Sequence, residues 1–212
     1  MKIHFKTFGC KVNQCETAQM QSKVLGIGCN LSNPENADII VINSCTVTAN
    51  ADRKTKQYLR RCLRLNPNAK IYLTGCYVDR AGDEFKKDFS KSQTEQVFAP
   101  NRCSDIKFFK NSEKENILTV LGLLPSTVYR LPSTVFSNRT RAFVKIQDGC
   151  DGKCSYCVVP KVRPKLRSKK IDDVIKDVKN YVSAGHKEIV LCGIRLGKYK
   201  WRVASSEWRV VD

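Results

Sequence analysis

A chain of 212 residues, 42% of them hydrophobic, is long enough for one large domain or two small ones and can bury a core. Its eleven cysteines are odd in number, which excludes complete pairing as disulfides and turns attention to metal or redox chemistry. A net charge of +18, from 38 Lys and Arg against 20 Asp and Glu, favours a polyanionic partner, nucleic acid first; a lysine-rich solvated surface is the plain alternative. No apolar run approaches the roughly 18 residues of a membrane span. The start, Met1-Lys2-Ile3-His4-Phe5-Lys6, lacks the apolar stretch of a signal peptide. No membrane association is expected, and the cytosol is the expected compartment.

In chain order, residues 2–8 alternate as a strand. Asn13 is expected to cap a helix over 14–26, with Glu16 completing a capping box. The apolar run 37–42 suits a buried parallel strand. A basic helix follows over 49–65, carrying Arg53, Lys54, Lys56, Arg60, Arg61 and Arg64, and Asn66-Pro67 stops it. A third strand over 70–74, a short helix near 80–89 and a strand near 96–99 complete the pattern. Strand and helix in alternation imply a parallel α/β sheet.

The first three strands end alike: "FKTFGC", "IVINSC" and "IYLTGC". In a parallel sheet those ends share one edge, where ligands bind. Cys10, Cys45 and Cys76 are therefore expected to converge. The alternative is three buried core cysteines, a common fate of the free thiol. Asn13 and Asn43 flank these cysteines and could hydrogen-bond a bound cluster; turn or cap chemistry is their simpler role.

Residues 111–140 lack periodicity and read as a linker after a first domain of 1–110. A second unit then begins. Residues 142–146 form a strand, 171–184 a helix with apolar positions 171, 174, 175, 178 and 182, and 188–191 a further strand. That is one βαβ unit, the opening of a larger α/β barrel. Between its first strand and the helix lies "QDGCDGKCSYCVVP", with Cys150, Cys154 and Cys157. Thiolates this close bind zinc or iron–sulfur. A closed zinc site needs a fourth ligand, and neither His4 nor His186 sits in a paired ligand pattern; Cys192, the nearest other thiol, ends a strand. A four-iron cluster fits three thiolates better, leaving one iron open.

The loop, with Tyr156 before its last cysteine, resembles the cluster loop of radical S-adenosylmethionine enzymes. "TFGCKVNQCET", "INSCTVTANADRKTKQ", "LTGCY", "RAFVKIQDGCDGKCSYCVVP" and "KEIVLCGIRLGKY" together resemble the methylthiotransferases over residues 2–199. The resemblance implies a flavodoxin-like sheet domain and the start of a radical S-adenosylmethionine (β/α) barrel. It implies two four-iron clusters, one on Cys10, Cys45 and Cys76 and one on Cys150, Cys154 and Cys157, with S-adenosylmethionine near Tyr156 and Gly193. "GCKVNQ" and "IRLGKY" look most like the branch acting on N6-threonylcarbamoyladenosine in tRNA, which places a methylthio group on C2 of that adenine beside the anticodon. The implied partners are tRNA, met by basic residues such as Arg163, Lys165 and Arg167, and an electron donor such as flavodoxin or ferredoxin. Cys15, Cys29, Cys62, Cys103 and Cys192 are left as packing residues.

Two departures stand out. Pro164 occupies a position where the family has Gly, which removes an amide donor. The residues after Arg141 are also too few for a barrel of roughly 200 residues, and 200–212 no longer resembles the family. The chain is therefore expected to be an amino-terminal fragment, inactive alone. Competing readings are a methylthiotransferase of ribosomal protein S12 or of isopentenyladenosine tRNA, a non-catalytic RNA- or iron–sulfur-binding fragment, and a zinc-binding regulator.

Overall fold

In the computed structural model, which describes residues 1–91, 106–123, 140–202 and 208–209, the strand Ile39–Ser44 is buried at every position. A strand covered on both faces has to be apolar throughout, and "IIVINS" nearly is. In chain order the first unit, Met1–Leu131, runs β1 (Lys2–Thr7), α1 (Lys11–Gly26), β2 (Asn30–Leu31), β3 (Ile39–Ser44), α2 (Ala49–Leu65), β4 (Lys70–Gly75), α3 (Cys76–Lys91), β5 (Ile106–Phe108) and α4 (Ile117–Val120). All neighbours pair in parallel, in the order β2-β1-β3-β4-β5. This is the flavodoxin-like arrangement, with its switch point between β1 and β3.

The two-residue period of the strands divides the core in two. Ile40, Ile42, Ile71 and Leu73 face Leu59 and Cys62 of α2 and Tyr77 and Ala81 of α3. Ile39, Val41 and Tyr72 face Met20 and Val24 of α1 and Ile117 and Leu118 of α4. Thr48 caps α2 through its side chain, which accepts from the Ala51 amide. On the first face, Cys62 is fully buried and hydrogen-bonds Tyr58, whose hydroxyl lies 2.8 Å from His4 Nε2. Burial pushes the Cys62 thiol up to about 11.

Three local expectations change. Helix α1 begins at Lys11 and not at residue 14; its N-cap is Cys10, with no side-chain cap. Asn13 and Glu16 lie inside the helix and are buried, so the capping box does not form. Residues 111–120, expected as linker, form a 3-10 turn (Asn111–Asn116) and α4. Ile117, Leu118 and Leu121 bury there, and Lys114 pairs with Glu16 at 2.6 Å, both side chains about 5% exposed. The polar run 111–116 hid an apolar anchor directly after it. The strand expected near 96–99 lies outside the described residues.

The second unit, Pro132–Asp212, contains β6 (Arg141–Lys145), β7 (Gln147–Asp148), α5 (Val159–Val162), β8 (Arg167–Ser168), α6 (Ile171–Ser183), β9 (Glu188–Cys192), β10 (Trp201–Arg202) and β11 (Trp208–Arg209). Strands β6 and β9 pair in parallel with α6 as the crossover, the expected βαβ unit. Ala142, Val144, Ile146 and Tyr181 form its core, with Val174, Val178, Ile189 and Tyr199 against it. Of the apolar stripe on α6, Ile171, Ile175 and Val182 stay exposed. Strands β7 and β8 form an antiparallel ribbon, and β10 and β11 another.

Two stability predictions follow from these buried groups. Lys114→Met takes the lysine from the buried Glu16 carboxylate and is expected to cost about 3–5 kcal/mol; the double variant with Glu16→Leu recovers most of it, as urea unfolding will measure. The Cys62 thiol ionises above its ordinary value of 9.0 only once the chain unfolds. Stability present below that pH is therefore lost as pH rises towards about 11. Urea midpoints at pH 8 and pH 10 are expected to fall further in the parent than in Cys62→Ala.

Candidate metal centres

Because β1, β3 and β4 run parallel, their carboxyl ends meet at one edge, and each continues within a few residues into a cysteine. Cys10 caps α1 and is exposed; Cys45 follows β3 and is buried; Cys76 follows β4 and opens α3, also buried. Cys10 and Cys76 thus sit at helix N-termini. Burial raises the Cys45 thiol most; Val47's backbone hydrogen bond lowers it, and the neighbouring Cys76 and Cys10 raise it further. Cys45 therefore lies within electrostatic reach of both other cysteines.

Two glycines make this approach possible. Gly9 has φ +101°, and a Cβ there would lie 2.4 Å from Cys45 Cβ and 2.7 Å from its Sγ. Gly75 has φ +105°, and a Cβ there would lie 2.2 Å from the Ser44 carbonyl oxygen. Only glycine lets the chain turn this tightly around the buried thiol.

The amides of Asn13 and Asn43 make hydrogen bonds around the strand ends. Asn13 Nδ2 donates to the Phe8 and Ser44 carbonyls at 3.0 and 2.9 Å, and Asn43 Nδ2 donates to Asn13 O and Thr17 Oγ1, both at 3.0 Å. These bonds brace the strand ends. Thr46 and Thr74 carry buried hydroxyls with no hydrogen-bond partner, beside Cys45 and two residues before Cys76. Asn111 Nδ2 lies 3.8 Å from Cys76 Sγ and 2.6 Å from Asp79 Oδ2. Thr46 and Thr74 were legible as hydroxyls next to strand-end cysteines; Asn111, 35 residues from Cys76, gave no local signal.

Among the described residues, no three His, Cys, Asp or Glu side chains are placed to grip a single metal ion. A four-iron cluster spaces its thiolates by its own width, so a wider set of three suits it. The donor set, three soft thiols at one edge of the sheet, suits such a cluster.

In the second unit Cys150, Cys154 and Cys157 follow β7. Gly152 N–H donates to Cys150 Sγ at 3.3 Å, and a Cβ on Gly152 would meet Cys150 Sγ at 3.2 Å and Cys154 Sγ at 3.9 Å. Both thiols border the same small volume. Cys157 N–H donates to the Cys154 carbonyl at 3.1 Å. Cys154 is exposed, and Tyr156 is 90% exposed. The space beside Gly193 is occupied: a Cβ there would lie 3.0 Å from Gln147 Oε1 and 2.9 Å from Leu196 Cδ2. Gly193 thus lets the chain pass Gln147 closely. Lys165 and Arg167 are exposed. Arg163, grouped with them in the sequence, is buried against Asp148 and is not offered to a phosphate.

The first unit thus carries three cysteines at the carboxyl edge of its parallel sheet, and the second carries three in the loop after β7. Residues 2–97 match the family described as "Uncharacterized protein family UPF0004". The chain is 37% identical over 201 residues to the threonylcarbamoyladenosine tRNA methylthiotransferase of Bacillus subtilis, covering 93% of this chain and 44% of that protein. It is 33% identical over 208 residues to the tRNA-2-methylthio-N(6)-dimethylallyladenosine synthase of a Sulfurihydrogenibium species (94% and 47%). It is 32% identical over 194 residues to the ribosomal protein uS12 methylthiotransferase of Thermosipho africanus (90% and 44%). Over more than nine-tenths of its length the chain is 31–37% identical to curated methylthiotransferases. It spans about half the length of the curated relatives it matches.

Gly9→Ala drives a methyl group into Cys45, so if the cysteine edge of the first unit takes up iron, this variant is expected to take up less. Iron per chain after anaerobic reconstitution, read beside the same measurement on Cys45→Ala, checks this; equal iron in Gly9→Ala and parent would show the edge to be unrelated to metal.

Proposed function

We propose that this chain is the cluster-bearing part of a tRNA methylthiotransferase that modifies C2 of N6-threonylcarbamoyladenosine beside the anticodon. The observation that carries the reading is the pairing of two separate three-thiol sets, one per unit, on a chain 37% identical to a relative named for that substrate. The identities to relatives named for dimethylallyladenosine and for uS12 are lower, at 33% and 32%. "GCKVNQ" at the first cysteine points the same way.

Two four-iron clusters and S-adenosylmethionine, when bound, would supply the radical, the sulfur and the methyl group. The chain's own residues do the holding and the shaping. Cys10, Cys45 and Cys76 would ligate the cluster of the first unit, with the Thr46 and Thr74 hydroxyls and the Asn111 amide as donors to its sulfur. Cys150, Cys154 and Cys157 would ligate the second cluster, and the exposed Tyr156 ring would cover S-adenosylmethionine. Gly193 would serve the same cofactor from further off, by letting its strand end pack on Gln147. Lys165, Arg167 and the exposed Arg53, Lys54, Arg60, Arg61 and Arg64 of α2 would meet tRNA phosphates. Reducing equivalents would come from a flavodoxin or ferredoxin, in the cytosol. No helix among the described residues is long and apolar enough to cross a membrane.

Anaerobic reconstitution is expected to give about eight irons per chain, falling to about four in the Cys10/Cys45/Cys76 triple alanine variant, as two four-iron clusters require. About four in both would reduce the first-unit cysteines to core residues, and zinc in their place would end the radical reading. Mass spectrometry of tRNA and of ribosomal protein S12 from a deletion strain then separates the substrates: loss of 2-methylthio-N6-threonylcarbamoyladenosine is the expected result.

A further inference from the structure

Arg163 sits in the most basic stretch of the second unit, yet it is 5% exposed. Its Nη1 lies 2.8 Å from Asp148 Oδ1 and 3.1 Å from Oδ2. Asp148 stands two residues before Cys150. The main chain of Arg163 reaches the same place: its carbonyl accepts from Cys150 N–H at 3.0 Å. Its own N–H donates to the Val159 carbonyl at 2.8 Å, closing α5 just beyond Cys157. One residue therefore ties the entry of the three-cysteine loop to its exit, through both side chain and main chain.

The partners of Asp148 strengthen the tie. Asp148 Oδ1 also accepts from Gly149 N–H at 2.9 Å, and Oδ2 from Lys145 Nζ at 3.1 Å. Gln147, 1% exposed, donates to the carbonyls of Asp148 and Gly149, both at 2.8 Å, and accepts from Arg195 N–H at 2.7 Å. Gly149, at φ +76°, passes so close to the Lys165 carbonyl that a Cβ would lie 1.9 Å from it. A buried guanidinium without its carboxylate is strongly unfavourable, so the pair holds the loop entry at one distance from α5.

We propose that Arg163 is a positioning residue for the three-cysteine loop: through Asp148 and the Cys150 amide it sets where Cys150 stands relative to Cys154 and Cys157. The inference rests on the iron–sulfur reading of that loop and adds to it a residue that touches neither metal nor RNA.

The test uses the full chain carrying Cys10→Ala, Cys45→Ala and Cys76→Ala, so that only loop iron is counted. Iron, sulfide and the electron paramagnetic resonance spectrum of the reduced cluster are measured with and without S-adenosylmethionine, beside circular dichroism for the fold. The parent is expected to hold about four irons. Arg163→Met is expected to lose at least half of them with its helical signal intact. Arg163→Lys keeps the charge but not the reach; it is expected to retain most of the iron with a shifted spectrum. Lys179→Ala, exposed on α6, is expected to load as the parent does. Parent-like iron and spectrum in Arg163→Met, or in Arg163→Lys should only that variant fold, overturns the inference. Loss of the helical signal in both variants also overturns it, because a loop clamp leaves the βαβ core standing. A parent that takes up no iron instead removes the iron–sulfur reading itself, and the inference with it.

Discussion

The constraint on which the first unit depends is that its strands are all parallel. Parallel strands must each return through a crossover, so every strand leaves the sheet at the same edge. Register then does the rest. Thr7 pairs with Asn43 and Asn43 with Thr74, so the residues following them in β1, β3 and β4 leave the sheet side by side. Three cysteines far apart in the chain become neighbours without any element built for the purpose. The Gly9 and Gly75 turns are the local concession that makes the approach close enough.

That edge is held by polar groups as much as by the apolar core. Asn13, Asn43, Thr17, Ser44 and the strand-end carbonyls form one hydrogen-bonded set between α1 and the sheet. Each bond satisfies a group that burial would otherwise leave unpaired. The Lys114–Glu16 pair ties the turn after β5 to α1, and Asn111 in that turn reaches Cys76. The second unit solves a similar problem on a smaller scale. Its thiols come from one short loop, so no long register is needed; a half-buried ion pair and a buried glutamine hold the loop's two ends together.

Much of this was legible in order of sequence. The strands, α2 and the βαβ unit follow from period and from runs of buried-type residues, and their observed limits fall within a few residues of expectation. The strand-end cysteines were legible because an α/β alternation already implies a shared edge. Asn13 and Glu16 misled because a local capping pattern matched, while both side chains had partners far away: the Ser44 carbonyl and Lys114. Residues 111–120 misled because six polar residues outweighed the apolar ones behind them. Arg163 misled because its neighbours in the chain are exposed cations, and nothing local marks which cation turns inward.

By itself the sequence determined the α/β class, the position of each cysteine relative to its strand end, and the excess of positive charge, because these depend on period, spacing and composition. Tertiary structure alone decided which polar side chains serve the strand ends, which one approaches Cys76 and which basic residue is buried. The reason is that a donor's role is set by the acceptor it meets, and in Asn43, Asn111, Lys114 and Arg163 that acceptor lies many residues away, beyond the reach of any local pattern.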